Sequence, residues 1–263
     1  MDTLRHLQLV ILSIMKDVDA LCKKNHIEYY LLGGSAIGAV RHQGFIPWDD
    51  DLDIMMTPSN YQKFIEVCRS QLNPEKYYLQ VGLEDWPLYF TKVRLWGTKL
   101  IEHEGYSNSE GDSGIYLDVF KLENAPSNRL SQIYQYVLAK YFLCYQLSER
   151  TFKSASLKKK CMMIFSLPLK NKWLRHLVKH QIEKYGDDTE YYGSFYFRTR
   201  LKNAFTRKDV MGTPVYKRFE DMELPIPEKY DAYLTQMFGD YMTPPPVEQQ
   251  VGLHLIDVDF GDY

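Results

Sequence analysis

Cysteine is scarce: four residues, at positions 22, 68, 144 and 161, with no C-x-x-C pair among them. That spacing gives neither a disulfide framework nor a paired-thiol zinc motif, and leaves buried thiols in a reducing, cytoplasmic compartment as the expectation. Long apolar runs are missing too, since nothing approaches the ~20 residues that cross a bilayer. The N-terminal stretch has apolar residues at helical spacing (Leu4, Leu7, Val10, Ile11, Ile14, Val18, Leu21), broken by Arg5, His6, Lys16 and Asp17. It reads as an amphipathic helix and not as a signal peptide. A basic excess is absent as well: the net charge is −2, which argues against bulk nucleic-acid binding. His176 and His180 are spaced like a zinc pair, but no H-E-x-x-H pattern or third ligand accompanies them.

What is present is an ordinary globular composition and an alternation of short elements. After the first helix, "IEYYLLGG" predicts a strand ending in a double glycine. "SAIGAVRHQG" predicts a helix starting at Ser35, "DLDIMM" a strand, and "TPSNYQKFIEVCRSQLN" another helix. "YYLQVG", "YFTKVRLWG", "TKLIEHEG" and "GIYLDVFKLENAP" are strand candidates separated by Gly, Asn and Pro, with "EGYSNSEGDSG" a turn or loop. Residues 127–186 lack strand signals and look helical, with a break at Pro168. A helix from about Asp231 to Phe238, stopped by Gly239, precedes an extended, acidic end. The fold class expected is mixed α/β (α+β). Residues 1–126 form a sheet core with the N-terminal helix, 127–186 an added helical lobe, and 187–263 a segment packing back on the core.

The chemistry concentrates in "GGSAIGAVRHQGFIPWDDDLDIMM", residues 33–56. In an extended strand Asp49, Asp51 and Asp53 would share one face while Leu52, Ile54 and Met56 point into the core. Carboxylates so placed repel unless a cation lies between them, and a hard divalent ion with oxygen ligands, Mg²⁺ (or Mn²⁺), suits a site that holds phosphates. The plain alternative is a solvated acidic turn. An EF-hand loop from Asp49 is rejected, because it needs Gly and Glu where Ile54 and Asn60 stand. A P-loop fails because Ala39 occupies the lysine position. The Gly33-Gly34-Ser35 turn could still offer backbone N–H groups and a hydroxyl to an anion at a helix start, or simply cap the helix. Asp118 sits inside the apolar "GIYLDVF", where a charge is costly unless paired or metal-bound. Lys92 and Arg94 alternate on one strand face, as phosphate ligands or as the outward face of an edge strand.

These residues resemble a known signature. "LLGGSAIGAVRHQGFIPWDDDLDI", "GIYLDVFKLENAP" and "RFEDMELPIPEKYDAYLTQMFGDYM" are similar to successive blocks of the LicD family, over most of the chain except the helical region. The resemblance implies a nucleotidyltransferase-type core, shared with the fukutin and fukutin-related proteins, and a phosphotransferase activity. The donor it implies is a CDP-linked alcohol, with CDP-choline the best-known type. The acceptor is a glycan or lipid-linked saccharide of the teichoic acid or lipopolysaccharide kind, and CMP is released. By position it implies Asp51 and Asp53 as metal ligands, Asp118 as the third acidic residue, and Gly34 and Ser35 as the phosphate-gripping turn. The family often carries two histidines after its proline block, whereas this chain has only His254 there.

On this expectation Gly33, Gly34 and Ser35 hold the diphosphate, and Arg41, Lys92 and Arg94 stabilise the departing CMP phosphate. Asp118 completes the metal shell or accepts the acceptor proton, with Asp49 the rival base. Trp48, Trp86, Tyr89, Trp96 and Tyr106 are candidates for an aromatic cage around a quaternary ammonium; with 21 tyrosines in the chain, ordinary core or surface roles are the simpler expectation for each. The alternatives are a nucleotidyltransferase releasing pyrophosphate and a catalytically silent glycan-binding relative. Finally, "KKKCMMIFSLPLKNKWLRHLVKHQ" mixes basic and large apolar residues. A packed amphipathic helix pair is the simpler expectation, and peripheral contact with an anionic membrane the other.

Overall fold

The computed structural model describes residues 2–86, 88–102, 113–151, 156–195, 199–252 and 255–263. Helix α1 (Thr3–Lys24) buries Leu7, Ile11, Ile14 and Val18 at the spacing the sequence dictates. It leads into strand β1 (Tyr30–Leu31), helix α2 (Gly33–Ile37), strand β2 (Asp53–Met56) and helix α3 (Pro58–Gln71). Thr57 caps α3 by accepting a hydrogen bond from the Asn60 N–H, and Pro58 occupies the first turn, where no N–H is required.

Strands β3 (Tyr77–Gln80), β4 (Thr91–Leu95), β5 (Lys99–Glu102), β6 (Tyr116–Lys121) and β7 (Glu123–Ala125) follow. The central sheet has the order β1-β2-β6-β4-β3. Only β2 and β6 run parallel, pairing Asp53 with Asp118 and Ile54 with Val119. Strand β4 is antiparallel to β6 and sets Lys92 opposite Asp118. Alternation then sends Ile54, Leu117, Val119 and Val93, each fully buried, to one face, and Asp53, Asp118 and Lys92 to the other. α1 packs against β6, and α3 against β2 and β6.

Helices α4 (Arg129–Thr151), α5 (Leu157–Ser166) and α6 (Lys172–Glu183) make the helical lobe, with a 3₁₀ turn at Leu167–Lys170 where Pro168 breaks the run. The lobe has its own core around Phe142, Leu169 and Ile182, completed by Phe195 and Phe205. The chain returns through β8 (Tyr191–Gly193), β9 (Phe205–Arg207), α7 (Lys208–Met211), β10 (Val215–Phe219), β11 (Met222–Ile226) and α8 (Tyr230–Phe238). Phe219, Leu224, Tyr233 and Leu234 rejoin the first core. The extended end, β12 (Leu255–Asp259), pairs antiparallel with β5. The mixed α/β class is as the sequence predicts.

Three local expectations are corrected. The helix begins at Gly33 with Leu32 in the cap position, so Ser35 lies inside its first turn. β2 begins only at Asp53, so Asp49 and Asp51 belong to a connecting turn and not to one strand face. β4 is an interior strand whose five residues are all buried, which removes the exposed-edge alternative for Lys92 and Arg94. The loop candidate "EGYSNSEGDSG" lies largely, and Tyr106 and His254 wholly, outside the described residues.

Candidate active site

The site is built where the end of β1, the start of α2 and the start of β2 meet. Gly33 has φ +55°, a left-handed conformation that suits glycine, and it turns the chain sharply out of the sheet. A Cβ on Gly34 would lie 2.8 Å from the Asp49 carboxylate Oδ2. The missing side chain is therefore what lets the acidic turn close against the glycine turn. Ser35, buried, accepts a hydrogen bond from the Asp53 N–H at 2.9 Å, tying α2 to the first residue of β2. The helix continues as a π-helical turn at Gly38–His42, a departure from regular winding that is frequent at functional sites.

The carboxylates of Asp49, Asp50 and Asp51 approach one another within 4.8 Å. Asp53 and Asp118 stand side by side on parallel strands. Lys92 faces this negative charge: its Nζ lies 2.9 Å from Asp118 Oδ1, buried with it, and 3.0 Å from the centre of the Tyr116 ring. Asp53 Oδ1 is buried with no hydrogen-bond partner among the described residues. Its pKa is pushed well above the ordinary carboxylate range, by burial first and then by the charges of Asp51, Asp118 and Asp49, with Lys92 opposing. Burial and the charges of Asp51 and Asp50 push the Asp49 carboxyl up to about 8. A carboxylate cluster that holds protons this tightly is one that a divalent cation would relieve. The orphaned Asp53 oxygen beside Asp51 supplies the hard oxygen donors such an ion takes.

The other sequence candidates divide. Trp48, half-buried, adjoins the cluster directly and meets His42 edge to face. Arg94 is buried and committed inward: its Nε donates to Gln80 Oε1 and its Nη1 to the Gly114 carbonyl, both at 2.8 Å. Arg41 stands at the far end of the π-helical turn, donating to the Tyr241 carbonyl at 2.6 Å and to His42 Nε2 at 2.9 Å. Of the proposed cage aromatics, Trp86 packs on Phe90 and donates to its carbonyl, and Trp96 donates to the Pro74 carbonyl. Tyr89 leans on Phe142 of the lobe.

Residue-level reading missed two supports. Gln8, 2 % exposed, donates from Nε2 to the Ile46 carbonyl at 3.2 Å and the Asp49 carbonyl at 2.9 Å. Arg5 donates to Gln8 Oε1 and to both oxygens of Glu220, and Glu220 in turn accepts the Phe45 N–H. α1 thereby grips the acidic turn. Its only signal was a glutamine flanked by core positions. The second is Tyr233, buried, its hydroxyl donating to Met55 Sδ at 3.8 Å and its pKa raised chiefly by burial and also by Asp53, with the Gly33 backbone opposing. Nothing but its position in the C-terminal block marked it.

With this geometry in place, comparison with known proteins is informative. Residues 26–158 match the family model described as LicD/FKTN/FKRP, nucleotidyltransferase domain. The chain is 31% identical over 269 aligned residues to the lipopolysaccharide cholinephosphotransferase LicD of Haemophilus influenzae, covering 96% of each. A shorter stretch of 42 residues is 57% identical to an uncharacterized protein of Rickettsia prowazekii, 16% of each chain. The chain therefore belongs to the LicD family of transferases. The nucleotidyltransferase name of that domain agrees with a mixed sheet carrying two acidic residues on adjacent parallel strands beside a glycine turn.

Proposed function

We propose that this protein transfers a phosphoryl-alcohol unit, phosphocholine in the first instance, from a CDP-linked donor to a sugar hydroxyl of a cell-surface glycan or its lipid-linked precursor, releasing CMP. The observation that carries the reading is the Asp53–Asp118 pair, with an Asp53 oxygen that has no hydrogen-bond partner among the described residues and Lys92 paired to Asp118, set against the Gly33–Ser35 turn. The full-length likeness to a lipopolysaccharide cholinephosphotransferase supports the headgroup and the acceptor class.

Phosphoryl transfer needs positioning and charge neutralisation more than covalent help from the protein. Asp51 and Asp53 would hold a divalent cation, Mg²⁺ or Mn²⁺, which when bound neutralises and orients the diphosphate. The Gly33-Gly34 turn at the start of α2 would offer backbone N–H to the phosphates. The acceptor oxygen attacks the distal phosphorus, the bond from that phosphorus to the CMP oxygen breaks, and the acceptor proton passes to a carboxylate. Asp118 shares its oxygens with the Lys92 ammonium, which leaves Asp49, against the Gly34 turn, as the candidate acceptor. Lys92 then serves as the fixed positive charge beside the phosphates. Arg94 and Arg41, bonded to internal acceptors, orient their surroundings. Trp48 offers an aromatic face to a quaternary ammonium at the mouth of the acidic turn, a contact worth roughly 0.5–2 kcal/mol.

A thermal-shift panel of CDP-choline, CDP-ethanolamine, CDP-glycerol and CDP-ribitol with Mg²⁺ tests the donor. A ligand at about a hundred times its dissociation constant stabilises by roughly 2.7 kcal/mol, so the cognate donor gives a clear rise in Tm. No shift with any of the four would count against a CDP-alcohol donor.

A further inference from the structure

Helix α5 carries its amphipathic stripe the wrong way round for a helix packed in a protein. Leu157, Cys161, Ile164, Phe165 and Pro168 recur at i, i+4, i+7, i+8 and i+11, the spacing of one helix face. That face points outward: Leu157 is 80 %, Ile164 53 % and Phe165 76 % exposed, while Ser166 is fully buried on the inner side, its hydroxyl satisfied by the Met163 carbonyl. Just past the 3₁₀ turn, Trp173 at the start of α6 is 71 % exposed. The expectation of a packed amphipathic pair therefore fails for this face. Large apolar side chains clustered in the open mark an interaction site.

Charge identifies the partner. The 32 residues from Thr151 to Ile182 contain eight Lys or Arg and no Asp or Glu, in a chain whose net charge is −2. Lys158, Lys159, Lys170 and Lys172 are all exposed and flank the apolar face. A tryptophan, a phenylalanine and long aliphatics ringed by lysines combine insertion at the headgroup boundary with attraction to anionic lipid. Among the described residues no helix is long and apolar enough to cross a membrane, so the contact is with a surface.

We infer that the outer face of α5 and the start of α6 dock this protein on an anionic phospholipid bilayer, with Phe165 and Trp173 inserted and the surrounding lysines at the headgroups. The inference stands apart from the catalytic reading, because none of these side chains belongs to the acidic site.

Vesicle flotation of the full chain tests it. The protein is expected to float with phosphatidylcholine vesicles containing phosphatidylglycerol and to stay behind with phosphatidylcholine alone. Trp173 fluorescence should shift to the blue on binding, with W173F identifying that signal among the four tryptophans. K158E/K159E, which reverses both charges, should weaken partitioning by at least about fivefold per lysine. F165S/W173S should reduce it by at least tenfold, with circular dichroism and Tm unchanged because both side chains are exposed. Absence of flotation with the anionic vesicles, or flotation that F165S/W173S leaves intact, overturns the proposal. So does a concentration-dependent dimer in sedimentation velocity that F165S/W173S abolishes, since a second copy would then be the occupant of this face.

Discussion

Asp53 is the residue on which the site turns. It begins β2, its backbone N–H is fixed by Ser35, and one carboxylate oxygen is buried with no hydrogen-bond partner among the described residues. Replacing it with Asn removes a repelled charge and, on the proposed function, a cation ligand together. Asp53→Asn is expected to cut transfer by roughly a hundredfold or more while leaving Tm equal or higher, a combination that a merely structural aspartate would not give. Asp49 makes a second prediction. Its carboxyl titrates near 8 in the fold against about 3.9 in an unfolded chain, so the folded protein binds that proton more tightly. The stability this contributes is complete below about pH 4 and is lost as pH rises through about 8. The Tm of divalent-free protein should fall between about pH 4 and 8, and Asp49→Asn should flatten the slope. An unchanged slope in that variant would place the repulsion elsewhere.

The elements were legible where local pattern governs them. The apolar spacing of α1, the Thr-Pro entry to α3, the break at Pro168 and the stop at Gly239 all follow from the residues in place. The acidic stretch was less legible, because alternation predicts a strand wherever polar and apolar residues take turns. Whether pairing begins at Asp49 or at Asp53 depends on which strand lies alongside, and β6 offers its first partner at Asp118. The neighbourhood of Asp53, Asp118 and Lys92 is likewise set by sheet order, which single-strand periodicity does not encode. The grip of α1 on the acidic turn is a tertiary arrangement of the same kind. Gln8→Ala takes a donor from the buried Ile46 carbonyl and the partly buried Asp49 carbonyl, at about 1–3 kcal/mol for leaving such groups unpaired. It should lower Tm measurably and reduce kcat about tenfold by loosening Asp49, with the ligand-induced Tm shift for the donor retained. A kcat equal to that of the unaltered protein would mean that the turn holds itself.

At the scale of the whole molecule the chain divides its labour. The sheet core and the returning C-terminal segment share one apolar interior and hold the acidic site, and the helical lobe keeps its own interior and a basic, apolar outer face. Lys121 joins the two, bridging Glu123 of β7 and Glu183 of α6 at 3.1 and 2.7 Å. The central claim, that Asp53 and Asp118 serve phosphoryl-alcohol transfer, is tested most directly by ³¹P NMR of the full protein with CDP-choline, Mg²⁺ and a saccharide acceptor. The account predicts CMP appearing in step with a phosphodiester-linked choline on the sugar, and neither product with Asp53→Asn. Pyrophosphate released from a nucleoside triphosphate, with CDP-choline left intact, would contradict it.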